Sequence, residues 1–74
     1  MRQNMRAERA RSGLSMREAA DAIGVHPNAI ARWEHGESEP TASNLISLSR
    51  LYKCSPEYLL GLTDERSGVA VASE

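Results

Sequence analysis

Phenylalanine is missing from this sequence altogether, and tryptophan and cysteine appear once each. A single cysteine, Cys54, rules out an internal disulfide, and no metal-ligand cluster accompanies it. No apolar run is long enough to cross a bilayer, and no signal-peptide core precedes the first polar stretch, so the expected location is the cytoplasm. There is no glycine-rich phosphate loop and no metal motif. His26, His35 and Cys54 form no set of nucleophile, base and orienting group, so neither an enzyme, a cofactor nor a small-molecule ligand is expected. A basic surplus is also lacking: the formal net charge is −1 and the pI is near 6.1. A chain of 74 residues is enough for one domain. It buries only about 60% of its unfolded surface, which calls for a tight, helix-packed core.

What is present is concentrated in residues 15 to 36. Ser15 is placed to N-cap a helix, and Glu18, three residues on, to reach back and close a capping box. Ala19, Ala20 and Ile23 form an apolar stripe at helical spacing. Gly24 stops this helix in the left-handed conformation that costs glycine little. Val25 and His26 carry the chain across, and Pro27 opens a second helix where a missing N–H does no harm. Ile30 and Trp33 form its buried face, and Gly36 ends it. Ala20, Gly24, Ile30 and Trp33 therefore stand where a helix-turn-helix needs a small residue, a turn and two core contacts.

The flanking segments read as helices too. Residues 2 to 12 predict one ended by Gly13, with Met5, Ala7, Ala10 and Leu14 inward and Glu8 and Arg11 in solvent. His35 to Pro40 reads as a loop. Thr41 is a good N-cap for a fourth helix, on which Leu45, Leu48, Leu51 and Tyr52 make a stripe that Ile46 widens. It stops near Lys53. Cys54 reads as a core residue. Ser55 and Pro56 open a short fifth helix with Tyr58, Leu59 and Leu62 facing inward. Residues 1–63 form the domain. From Asp64 to Gly68 the sequence reads as a solvated linker, and 64–74 as a flexible tail. Val69-Ala70-Val71 leaves open a strand pairing with a symmetry mate.

Taken in order, Gly13-Leu14-Ser15, Ala19-Ala20, Ile23-Gly24-Val25, Ile30, Arg32-Trp33-Glu34 with Gly36, and Pro40-Thr41 resemble the lambda-repressor-like DNA-binding domains. This is the family of phage Cro and repressor proteins and Xre-type regulators. The resemblance runs from Met5 to about Leu62. It implies an all-α, five-helix domain acting as a dimeric, sequence-specific regulator of double-stranded DNA, a repressor of phage, prophage or mobile-element type on a palindromic operator. It also implies that Arg9 pairs with Glu34, the glutamate that follows the recognition helix. The fifth helix and tail, with Tyr58 and Leu62, are the candidates for a homodimer interface.

If the third helix enters the major groove, its outer face carries Pro27, Asn28, Ala31 and Arg32. Asn28 and Arg32, one turn apart, have the chemistry to pair with adenine and guanine edges, and Ala29 or Ala31 can meet a thymine methyl. Arg17, His26, Arg6 and Arg11 are candidates for phosphate, with Ser43 and Asn44 as weaker ones. The charge is unevenly placed in support of this. Residues 1–32 carry six cations against three anions, and residues 33–74 carry three against seven.

The chain departs from the family pattern at Met16, where many members have a phosphate-contacting glutamine. Glu37 and Glu39 stand where many carry basic residues, and Pro27 takes a frequent base-contacting position. These departures keep a second reading open: a protein-interaction module, or an antitoxin, on the same scaffold with weak or no operator binding.

Overall fold

The computed structural model describes residues 3–66. Among them are five helices: α1 (Gln3–Arg11), α2 (Met16–Ile23), α3 (Pro27–His35), α4 (Ala42–Tyr52) and α5 (Pro56–Leu59). The order and type of elements match the all-helical expectation. The suggested strand at Val69–Val71 lies outside the described residues.

The starts of α2 to α5 are written in capping side chains. Ser15 and Glu18 form the complete capping box: the Glu18 N–H donates to Ser15 Oγ at 3.0 Å and the Ser15 N–H to Glu18 Oε1 at 2.8 Å. Thr41 accepts from the Asn44 N–H at 3.2 Å and Ser55 from the Tyr58 N–H at 3.1 Å.

The ends share one device. A residue in the left-handed region follows each helix, and the next N–H returns to a carbonyl five residues back. Leu14 donates to Arg9, Val25 to Ala20, Glu37 to Arg32, Cys54 to Ser49 and Leu62 to Glu57, at 2.9–3.2 Å. Gly13, Gly24, Gly36 and Gly61 supply four of the left-handed positions; the fifth falls on Lys53, at φ 58°. A side chain there costs about 1–2 kcal/mol that glycine would not.

The core consists of Met5, Ala19, Ala20, Ile30, Trp33, Leu48, Tyr52, Cys54 and Leu59. Each large apolar side chain in it contributes about 1.5–3 kcal/mol by burial. Ala19 and Ala20 are fully buried, and their small size lets α2 lie close against α3 and α4. A larger residue at Ala20 would cost about 1–3 kcal/mol in overpacking.

Four sequence expectations are corrected. Ala7 and Ala10 are exposed, because Met5 and Glu8, at i and i+3, define the inward face of α1. Glu8, expected in solvent, is instead 2% exposed. Ile46 is 45% exposed, and Ser49, one turn beyond Leu45, takes the buried direction and donates its hydroxyl to the Ile46 carbonyl at 2.7 Å. Leu62, expected inward, is 73% exposed because the turn at Gly61 directs the chain off the body.

Candidate nucleic-acid interface

The helix-turn-helix is formed by α2, the turn at Gly24 and Val25, and α3. Its second helix is anchored from within by Ile30 and Trp33, which are 2% and 6% exposed. Burying those two positions leaves Asn28 and Arg32 exposed on the outer side, four residues apart. Neither side chain has an intramolecular hydrogen-bond or ion-pair partner among the described residues. The amide and the guanidinium are thus free to meet an external ligand. Ala31 is half-buried, and Ala29 is half-buried against the core, so its methyl faces partly inward.

The start of α3 carries an arrangement the sequence reading missed. His26 is its N-cap, with Nδ1 accepting from the Asn28 N–H at 3.0 Å. Accepting at Nδ1 requires the neutral ring to carry its proton on Nε2, which leaves an N–H donor directed away from the capped turn. The signal was available: Pro27 at the first helical position makes the residue before it the cap.

The far end of α3 is held by charge. Arg9 Nε donates to Glu34 Oε2 at 2.6 Å and Arg9 Nη2 to Oε1 at 3.1 Å, while Nη1 donates to the Leu14 carbonyl at 3.1 Å. The two side chains are 15% and 3% exposed, so this bidentate pair is largely desolvated. The hydrogen bond to Glu34 raises the Arg9 pKa. Tyr52 packs close by, and burial first, then Glu34, pushes its phenol up to about 12. The pair fixes the recognition helix to α1.

The other candidates are distributed around this frame. Arg17 is exposed in the first turn of α2. Ser43 is exposed at the start of α4, its hydroxyl 3.3 Å from that of Thr41, and Asn44 is half-buried beside it. Arg6 and Arg11 are exposed on α1. Arg11 lines a cleft with Lys53 and Arg66, at the C-terminal ends of α1 and α4 rather than on α3. Glu37 and Glu39 are exposed in the loop after α3.

A second ion pair, its carboxylate buried and its guanidinium partly exposed, was also missed. Arg66 Nε and Nη2 donate to Glu8 Oε2 and Oε1 at 2.8 and 2.9 Å. The sequence signal was a carboxylate three residues from Met5, on what becomes the inward face of α1. Cys54 lies beside this pair, and burial first, then Glu8, pushes its thiol up to about 11, which keeps it a neutral core group.

A capped helix, a glycine turn and a second helix presenting an exposed amide and guanidinium define a helix-turn-helix domain. The family model described as Helix-turn-helix matches residues 5–59, and the chain belongs to that family. Its relatives include Repressor protein C2 of Salmonella phage P22, 44% identical over 62 residues, which are 81% of this chain and 28% of that protein. The HTH-type transcriptional regulator DicA of Escherichia coli is 39% identical over 46 residues, 62% of this chain and 34% of that protein. The chain therefore spans about a third of the length of these two relatives or less. Among solved structures, the c2 repressor of the same phage in complex with synthetic operator 9T superposes with a TM-score of 0.75 at 37% identity, covering 80% of this chain and 89% of that one. The solution structure of that repressor's DNA-binding domain gives a TM-score of 0.75 at 33% identity, covering 93% and 90%. The resemblance found in the sequence is borne out.

Proposed function

We propose that the chain is a sequence-specific double-stranded DNA-binding transcriptional repressor, acting in the cytoplasm as a homodimer on a palindromic operator. The observation that carries this reading is the pair Asn28 and Arg32, exposed one turn apart on α3 and without a side-chain partner among the described residues. The amide pairs with N6 and N7 of adenine and the guanidinium with O6 and N7 of guanine, each discriminating by about 1–3 kcal/mol. Ala31, and Ala29 to the extent that it is exposed, meet thymine methyls. Arg17 and the Nε2–H of His26 contact phosphates on either side of α3, with Ser43 and Asn44 at the start of α4 and Arg6 and Arg11 on α1 as outer contacts. The operator complex of the related phage repressor supports this assignment of the partner. Two copies, joined through α5 and the segment after it, span half-sites about 34 Å apart. Occupancy of the operator is sufficient for repression, so no cofactor takes part.

The exposed Glu37 and Glu39 favour one competing reading, a protein-interaction module or antitoxin on the same scaffold. A titration against random and selected duplexes over a range of salt separates the two. The repressor reading expects a selected sequence to be preferred by about 10³-fold or more over random DNA. A flat response across a randomised library overturns it.

A further inference from the structure

Leu60 packs against the core and the Leu62 N–H donates to the Glu57 carbonyl, closing the turn after α5. Beyond that turn Asp64 and Glu65 are exposed, and the fastening of the chain is concentrated in Arg66. Arg66 then closes against three elements. Its guanidinium holds the Glu8 carboxylate of α1 at 2.8 and 2.9 Å and donates to the Tyr52 carbonyl at the end of α4 at 3.2 Å. Its own carbonyl accepts from the Ser55 N–H at the start of α5 at 2.7 Å. The Glu8 side chain is 3% exposed, while that of Arg66 is 33% exposed. A carboxylate so placed is tolerated only while it is paired, and Arg66 supplies both of the hydrogen bonds it receives from another side chain among the described residues. Residues 63–66, exposed at Asp64 and Glu65 and fastened through Arg66, have the makings of a separate opening unit.

We propose that residues 63–66 form a latch, fastened by Arg66 on Glu8, which opens while the helix-turn-helix remains folded. Opening presents to solvent a carboxylate already shaped to receive a guanidinium, so a cationic group from elsewhere can take the place of Arg66. It also uncovers the Ser55 amide and the neighbouring Cys54. Neither Asn28 nor Arg32 takes part in the latch, so its test does not depend on base reading, although the segment it frees is one through which two copies are proposed to join.

Native-state hydrogen exchange, followed by NMR on the full chain, tests it. In the wild type, the Ser55 amide should exchange through an opening insensitive to denaturant and faster than the amides of Ala20 and Trp33. In Arg66→Gln, Ser55 exchange should accelerate at least tenfold while Ala20 and Trp33 change less than twofold. Glu8→Leu provides the second arm: it replaces the buried carboxylate by an apolar group, leaves no orphan charge and still unfastens Arg66. It should show the same selective acceleration. Unchanged Ser55 exchange in both variants overturns the latch. So does acceleration of all three amides in step, or failure of both variants to fold cooperatively, because each means that the segment does not open separately.

Discussion

Arg9 holds Glu34 with two hydrogen bonds, at 2.6 and 3.1 Å, and in doing so ties α1 to the last turn of the recognition helix. Glu34 is 3% exposed, so removing the guanidinium leaves a buried carboxylate without its strongest partner. Arg9→Ala should cost roughly 3–5 kcal/mol in urea denaturation. The double replacement Arg9→Met with Glu34→Leu should recover most of that loss, since no charge is then left unpaired. A single-variant loss below about 1 kcal/mol, as for an exposed pair, would show that the pair does not lock α3.

Lys53 offers the opposite case, a position where the native residue is not the most stable one. With φ at 58° it occupies the site that glycine fills after α1, α2 and α3. Lys53→Gly should stabilise the domain by about 1 kcal/mol, the relief of strain being partly offset by the greater freedom of glycine in the unfolded chain. Lys53→Val should destabilise it. Thermal unfolding of the two variants checks the sign, and a loss of stability in Lys53→Gly would mean that the lysine side chain contributes more than the strain removes.

Two DNA-binding variants should fail in different ways. Arg32→Ala should relax preference at a single base pair, by about 1–3 kcal/mol, and leave binding to random duplex nearly unchanged. Arg17→Ala should weaken binding on every sequence and reduce the slope of log K against log salt by about one. Equal loss on all sequences from Arg32→Ala would remove its base-reading role.

Alkaline stability follows from two buried acids. Tyr52 is raised from 10.0 to about 12 and Cys54 from 9.0 to about 11, in both cases chiefly by burial. Both groups therefore hold their protons more tightly in the folded chain than in the unfolded one. The stability this confers is fully present below about pH 9 and is lost as the pH rises through 11 to 12. In Cys54→Ala the decline should begin about one unit higher, near the ordinary tyrosine value of 10.0. Urea midpoints measured from about pH 8 upward test this, and a thiol that titrates near 9.0 in the folded protein would contradict it.

The Ser15 and Glu18 capping box and the caps at Thr41 and Ser55 could be read directly because the groups that pair lie three residues apart. Gly24 and Gly36 were legible for the same reason, since a left-handed turn is a property of the residue that adopts it. The outward direction of Asn28 and Arg32 followed from helical period once Ile30 and Trp33 were placed inside. Local periodicity failed on α1, where small size alone suggested that Ala7 and Ala10 faced inward. Their neighbour Glu8 was assigned to water because its partner lies 58 residues away.

By itself the sequence determined the five helices, their caps, the turn and the face that α3 leaves outside, because each depends on residues within a turn or two of one another. Only the tertiary structure decided which charges are buried. Arg66 reaches Glu8 across the whole domain, and no spacing rule states that fact. A carboxylate can leave water only where a guanidinium is brought to meet it, and that meeting exists only when distant parts of the chain have packed.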